Sequence, residues 1–323
     1  VDTLAKGKRE NVSAGAGLHV RDIREPLDDL FDEVRPEAVF HLAAQAHVGE
    51  SWERPYESVL TNTVGTLNLL QALVTGGVEV AKVNTAGTSE EYGNVHEPVR
   101  HHHDFDEEGA LVLHERSPIN PKSIYATAKV AADFLTMNYH DAYGLPGVVT
   151  RMFNNYGPRQ NPRYFTGTVI TQALEREVVE LGNLDPQRDL CFCTDGVRGH
   201  LAVTLHGIPG DIYCYGAGRN ISMLEWAELI LQIGEEEGYW PERVITSVPG
   251  RFRPGASDVM VLRVGYDKLH AETGCVYWSF QNGSIVRNSP MVGAVKGQGS
   301  AQWAVFFGDG HANVFALDAQ TGR

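Results

Sequence analysis

Asn84-Thr85-Ala86-Gly87-Thr88-Ser89-Glu90-Glu91-Tyr92-Gly93 opens the stretch whose reading decides the fold, and Tyr125-Ala126-Thr127-Ala128-Lys129 closes it. Tyr125 and Lys129 stand four residues apart, which on a helix puts both side chains on one face. Ile124, Ala128, Ala131 and Leu135 recur at helical spacing and predict a helix over Ser123–Tyr143. Val78–Asn84 reads as a short buried strand, so Thr88, Ser89 and Glu90 fall just past a strand end. In an open parallel sheet, that is where ligands bind.

These residue types can do specific chemistry. An ammonium held beside a phenol stabilises the phenolate and lowers the tyrosine pKa. Such a tyrosine can take a proton from a sugar or alcohol hydroxyl while hydride leaves the same carbon. Thr88 can hydrogen-bond that oxygen, and Glu90 adds a second base that a plain alcohol dehydrogenase does not need. The plainer alternative is an ordinary surface Tyr and Lys with a loop Glu.

The 323 residues are 42% hydrophobic and 21% charged, enough for a large core and ordinary for a globular protein. A net charge of −14 without a basic cluster argues against nucleic-acid binding. The sequence has no apolar run long enough for a bilayer span and no signal-peptide pattern, so no membrane partner is expected. Cys191, Cys193, Cys214 and Cys275 read as buried free thiols of a reducing cytoplasm, with Cys191 and Cys193 too awkwardly placed in one strand-like run to pair. His101-His102-His103 is read as solvated loop, because three adjacent histidines do not converge easily on one ion; no metal is expected.

Together, Tyr125-x-x-x-Lys129 and Thr88-Ser89-Glu90-x-Tyr92-Gly93 resemble the extended short-chain dehydrogenase/reductase family in its nucleotide-sugar epimerase/dehydratase branch, GDP-mannose 4,6-dehydratase-like. Further matches are His41-Leu42-Ala43-Ala44-Gln45, Thr61-Asn62-x-x-Gly65-Thr66, Arg151-x-Phe153-Asn154-Asn155-Tyr156-Gly157-Pro158-Arg159, Leu181–Asp189 and Arg253-Pro254-Gly255. The resemblance implies an α/β fold: a doubly wound parallel Rossmann-type sheet with a smaller C-terminal substrate lobe. It implies a dinucleotide-binding domain over residues 1–165 and the lobe over 166–274, with the chain crossing back to the sheet. It implies Thr88, Glu90, Tyr125 and Lys129 as catalytic residues. Asp2, Asp22, Ile23, Leu42, Ala43, Ala44, Thr61, Tyr125, Lys129 and Asn155 would hold NAD or NADP. Ser89, Asn154, Arg188 and Arg253 would hold a nucleotide-sugar, the arginines clamping its pyrophosphate bidentately. A homodimer through the Pro55–Val74 and Ser123–Tyr143 helices is implied as well.

Several of these residues have plainer readings. Asp22 could cap the helix after it, Asn154 and Asn155 could form a turn, and the arginines could be surface charges. The implied reaction is nucleotide-sugar 4,6-dehydration, with UDP-glucuronate decarboxylase, 4-epimerase or 4-keto-sugar reductase as alternatives, or an inactive fragment. Asp2 points to NAD, whereas GDP-mannose dehydratases use NADP.

The sequence contains no G-x-x-G-x-x-G loop, and Val1-Asp2-Thr3-Leu4 resembles the end of the family's second strand. The sheet is therefore expected to lack its first strand and glycine loop, leaving Leu18–Val20 without neighbours, cofactor binding weak and stability poor. Other expected elements are a Pro26–Val34 helix, an Ala38–Leu42 strand, a Gly147–Arg151 strand, and Val169–Glu177 and Leu224–Glu236 helices. Past Gly274 the composition shifts. Ala301–Phe307 and Val314–Asp318 around Gly308-Asp309-Gly310 read as a hairpin, and residues 275–323 resemble one blade of a quinoprotein-type β-propeller, joined by fusion or splicing.

Overall fold

Lys82–Thr88 is the strand around which the molecule is assembled, and every one of its residues is buried. In the computed structural model, the described residues are 1–265 apart from His96, Glu107, Glu108 and Ala256, plus the backbone of Met291–Ala294, Trp303–Gly308 and Val314–Asp318. Lys82–Thr88 lies between Ala38–His41 and Gly147–Met152, and Asp211–Tyr215 completes a four-stranded sheet. All the pairings are parallel, with His41 beside Thr85 and Thr88 beside Met152. Thr88, Met152 and Tyr215 are therefore level, His41 ends three residues short of Thr88, and the segments after His41, Thr88 and Met152 leave from the same end of the sheet.

A strand covered on both faces is usually a run of aliphatic residues, yet this one carries Asn84, Thr85 and Thr88. Each internal polar group is matched. Asn84 Nδ2 donates to Thr204 Oγ1 at 2.9 Å, Thr150 Oγ1 donates to Asn84 Oδ1 at 2.7 Å, and Thr136 Oγ1 donates to Thr85 Oγ1 at 2.8 Å. The expected strand, Val78–Asn84, thus lies four residues too early. The hydrophobic run at 78–83 drew the assignment toward a segment that only leads into the sheet.

Helices cover both faces. Ile124–Tyr143 starts at Ser123, whose hydroxyl accepts from the Ala126 N–H at 3.1 Å, and it stops at Gly144 in the left-handed region, φ 69°. Its buried stripe is Tyr125, Ala128, Lys129, Ala132, Asp133 and Thr136, more polar than the spacing of Ile124, Ala131 and Leu135 suggested. The expected single helix Pro55–Val74 is three consecutive pieces: Pro55–Val59, a π-turn Leu60–Val64, and Gly65–Thr75. Gly65 is required there, since a Cβ would lie 2.6 Å from Ile23 Cδ1. Ile23 joins Leu27, Leu30, Phe31, Leu70 and Leu73 in the core on that side.

The rest of this unit builds a lobe at the sheet's C-terminal edge. Helices Phe165–Glu175 and Met223–Glu236 enclose Val169, Ala173, Ala227 and Leu231 with Trp240. Gln187–Phe192 pairs in parallel with Asn154–Tyr156, tying the lobe to the strand end that carries the two asparagines. Asp211–Tyr215 returns from the lobe to the main sheet.

Some expected boundaries shift. Leu18–Val20 forms no strand, only a single bridge between Asp2 and Val20. The first helix is Asp28–Val34, and Phe165–Glu175 replaces the expected 169–177. Cys193 opens a helix, Cys193–His206, so it does not share a strand with Cys191. Cys191, Cys193 and Cys214 are free thiols, and Cys275 lies outside the described residues. The histidine run is not a loop: Glu97–His102 forms 3-10 turns, and His103 is buried.

The chain divides into two compact units, Val1–Tyr266 and Asp267–Arg323. In the second, Trp303–Gly308 pairs antiparallel with Val314–Asp318, as the hairpin reading expects, and also with Met291–Ala294, a strand that reading did not include.

Candidate active site

The turn after Lys82–Thr88 and the first turn of Ile124–Tyr143 meet at the edge of a cavity of about 510 Å³. Thr88, Glu90, Tyr125, Asn154, Asn155, Arg188 and Arg253 all line it. They come from five separate segments, brought together because the parallel strands end on one side. Ser89 and Lys129 are buried beside the cavity without lining it.

Tyr125 is buried, which pushes its phenol above the ordinary range, while a hydrogen bond with Thr88 works in the opposite direction and the Glu90 carboxylate adds to the rise. The ammonium of Lys129 donates to the Ala86 carbonyl at 2.8 Å. Burial depresses Lys129, and the carboxylates of Asp133 and Glu91 counter that. Sequence reasoning expected Lys129 to set the tyrosine's acidity directly. In the structure burial is the larger influence, and the lysine's charge instead holds His41 down at about 3 and His200 at about 4, in each case after desolvation.

Glu90 is 5% exposed and faces two arginines. Arg253 Nη1 lies 3.3 Å from Oε2, and Arg188 Nη2 lies 3.8 Å from Oε1. Arg253 Nε also approaches Asp258 Oδ1 at 3.4 Å, and Asn183 Nδ2 donates to Asp258 Oδ2 at 2.9 Å. The two arginines expected as a phosphate clamp come together on the Glu90 carboxylate and neutralise it. Asn154 Oδ1 is buried with no hydrogen-bond partner among the described residues, and its side chain borders the cavity.

The other expected cofactor residues do not line this cavity. Leu42, Ala43 and Ala44 follow the end of Ala38–His41, with the Leu42 side chain 54% exposed. Thr61 is in the π-turn. Asp2 Oδ1 accepts the Leu4 N–H at 2.6 Å. Asp22 does not cap a helix; it accepts the Arg24 N–H at 2.9 Å and pairs with the Arg24 guanidinium, which lowers its pKa. Ile23 has its side chain in the core.

Sequence reasoning missed residues that hold the site. Asn62, in the quoted Thr61-Asn62-x-x-Gly65 string, accepts the Gln45 N–H at 2.8 Å and donates to the Gln45 carbonyl at 3.0 Å. It clamps the turn after Ala38–His41 to the π-turn, a helical irregularity common at functional sites. The signal was an asparagine inside an apolar helix, where it ought to be costly without partners. His47, Arg163, Tyr164 and Trp226 also line the cavity.

A family model described as GDP-mannose 4,6 dehydratase matches residues 1–274, so the chain belongs to that family. GDP-6-deoxy-D-mannose reductase of Pseudomonas aeruginosa is 30% identical over 264 residues, covering 79% of this chain and 80% of the relative. GDP-mannose 4,6-dehydratase of Sinorhizobium fredii (strain HH103) is 30% identical, with 68% and 62% covered, and dTDP-glucose 4,6-dehydratase of Neisseria gonorrhoeae is 32% identical, with 66% and 61% covered. The chain therefore spans about three-fifths of either dehydratase. Among solved structures, RMD from Pseudomonas aeruginosa complexed with NADPH superposes with a TM-score of 0.65 at 30% identity, over 79% of this chain and 81% of that one. A DesIV double mutant, a dTDP-glucose 4,6-dehydratase from Streptomyces venezuelae with NAD and DAU bound, gives 0.66 at 28%, over 79% and 72%. These neighbours have the Rossmann-like α/β architecture found here. Among the described residues no helix is long and apolar enough to cross a membrane, and no group of His, Cys, Asp and Glu is placed to hold a metal.

Proposed function

We propose that this cavity dehydrates a nucleotide-linked hexose to its 4-keto-6-deoxy form. The observation that carries the reading is the buried carboxylate of Glu90 in the same cavity as the Tyr125–Thr88 pair. Tyr125 would receive the proton of the C4 hydroxyl, with Thr88 sharing that oxygen. Glu90 would take the proton from C5 once C4 is a carbonyl, and water would leave from C6. Arg188 and Arg253 would turn from Glu90 toward the diphosphate, and Asn154 would use its unpartnered oxygen on the sugar.

The segment 42–44, Thr61, Tyr125, Lys129 and Asn155 suit the nicotinamide end of NAD or NADP. The fit rests on small side chains at a parallel strand end, on the buried Lys129 ammonium, which keeps donors beyond the one given to Ala86, and on Asn155 at the cavity wall. Asp2, with Asp22 and Ile23, would lie toward the adenosine end and favours NAD. Such a cofactor, when bound, supplies reversible hydride transfer: the hydride that leaves C4 returns at C6 after water is lost, so the oxidation and the reduction balance. Ser89 would support the substrate from beneath.

Incubation with NAD or NADP and either GDP-mannose or a UDP-N-acetylhexosamine tests the proposal. A product that absorbs in warm alkali supports it; a pentose formed from UDP-glucuronate in a parallel incubation, with these hexoses unchanged, points to decarboxylation, and no turnover of any of them opposes both. A second reading has its own support, since the Pseudomonas relative is a reductase covered over 80% of its length. A reductase would consume one NADPH per 4-keto-6-deoxy sugar and leave the parent hexose untouched.

The same reading includes a homodimer, because Tyr56, Val59, Leu60 and Phe134 leave apolar surface on the two helices expected at the interface. Sedimentation would test it. A cytoplasmic location fits the free thiols.

A further inference from the structure

Glu91 takes no part in the reaction above, yet it is fully buried next to Glu90. Its Oε1 accepts the Thr88 N–H at 2.8 Å, closing a capping box around the turn Ser89–Glu91. Its Oε2 lies 2.8 Å from Arg151 Nε, which also reaches Asp133 Oδ2 at 2.9 Å. Asp133 is on the same helix as Tyr125 and Lys129, one turn beyond the lysine. Arg151 Nη1 donates to the Tyr92 hydroxyl at 3.2 Å, and its guanidinium lies 5.3 Å from the Tyr92 ring centre. Space is tight: a Cβ on Gly87 would come within 3.0 Å of Arg151, Asp133 and Glu91 alike.

Strand end, turn and helix are therefore joined beneath the cavity by one charged cluster. A carboxylic acid with no exposure is expensive to bury, and an aliphatic side chain would fill the same space at lower cost. The expense has a use if the bond to the Thr88 backbone matters for what Thr88 and Glu90 do.

We propose that Glu91 is a positioning residue, which links the Thr88 backbone to the Arg151–Asp133 pair and so holds the Thr88 hydroxyl and the Glu90 carboxylate in place relative to Tyr125. The inference rests on the reading of Thr88, Glu90 and Tyr125 as the reacting groups. Glu91 touches neither substrate nor cofactor, so its removal should lower kcat and leave substrate KM and cofactor affinity nearly unchanged. Burial and the neighbouring Asp133 both raise the Glu91 pKa well above normal, and Arg151 works against them. Glutamine can still accept from the Thr88 N–H, but its amide nitrogen then meets the Arg151 Nε that lies 2.8 Å from Oε2, donor against donor.

The test is steady-state kinetics on the full chain carrying Glu91→Gln, Glu91→Met or Glu91→Asp, with circular dichroism to check folding. Glu91→Gln, which keeps the Thr88 bond but not the Arg151 contact, should lose less kcat than Glu91→Met and Glu91→Asp, which should each lose about tenfold or more, as expected when one buried backbone bond is broken at a reacting group. Aspartate keeps the acid but draws the carboxyl back from the Thr88 N–H, so it decides the matter if the methionine variant does not fold. Folded Met and Asp variants with parental kcat would overturn the proposal, as would a glutamine variant as poor as they are or a loss confined to KM. If the parent chain turns over no nucleotide-sugar, the functional reading fails instead, which separates the two failures.

Discussion

Replacing Glu90 with glutamine removes a negative charge at one place and has two opposite consequences. As a general base, Glu90 contributes on the order of 10²–10⁴ in rate, so dehydration should fall by that factor. The same carboxylate holds Arg253 at 3.3 Å and Arg188 at 3.8 Å. At an effective dielectric of about 20, a unit pair at the longer distance attracts by about 4 kcal/mol, most of it returned as desolvation. Arg253 is a quarter exposed, so solvent screening reduces its share further. A net of about 1 kcal/mol is a reasonable remainder, and it is energy that a diphosphate must overcome to recruit the arginines. Glu90→Gln should therefore bind a nucleoside diphosphate about fivefold more tightly while losing the dehydration product. Calorimetric titration with GDP or UDP measures the first effect, and alkaline absorbance of the product measures the second. A variant that dehydrates within tenfold of the parent would refute the assignment of Glu90 as base; weaker diphosphate binding would refute the competition.

Tyr125→Phe should lower turnover by about 10²–10⁴-fold with cofactor affinity nearly kept, as read by fluorescence titration; undiminished turnover would rule out the proton path through the phenol. Gly93 has φ 58°, and a Cβ there would sit 1.8 Å from the Asn120 carbonyl oxygen, so Gly93→Ala should lower Tm by about 5 °C or more by displacing the segment that leads to Ser123. Gly196→Ala places a Cβ 2.4 Å from Asn155 Oδ1 and should weaken cofactor binding more than stability, a difference that paired titration and melting curves would reveal. His41 and His200 are held neutral, at about 3 and about 4, against an unfolded value of 6.5. The unfolded chain binds more protons below pH 6.5, so stability should fall as pH drops from there toward 4, by up to about 1.4 kcal/mol per unit for each histidine. Urea unfolding at several pH values checks the slope, and His41→Gln should flatten it.

The helix carrying Tyr125 and Lys129 was legible because the spacing of Ile124, Ala128, Ala131 and Leu135 and the four-residue motif agree; its cap at Ser123 and stop at Gly144 fit the same bounds. The parallel architecture was legible through the motifs at successive strand ends. Other features depend on partners far away in sequence. Lys82–Thr88 looks too polar for a central strand until Thr136, Thr150 and Thr204 are set against it. The pairing of Glu90 with Arg253 spans 163 residues and leaves no local trace. Asn62 was visible as a matched motif position, but its grip on Gln45 depends on a π-turn that no periodicity foretells. The three-stranded sheet of the second unit was half legible, since only its glycine-linked pair has an obvious turn.

The hydroxyl and amide contacts inside the central sheet have a consequence for how the strands find one another. Apolar faces tolerate a slide of two residues, because oil meets oil again. Asn84 and Thr150 do not, since a shifted Gly147–Met152 would part Thr150 Oγ1 from Asn84 Oδ1 in a dry interior, and Thr85 and Asn84 are further held to Thr136 and Thr204 of the covering helices. These contacts act as indexing pins that admit a single alignment, and the same alignment sets Thr88 level with Met152. Replacing the pins with valines should leave a sheet that still collapses but no longer seats its catalytic edge in one place.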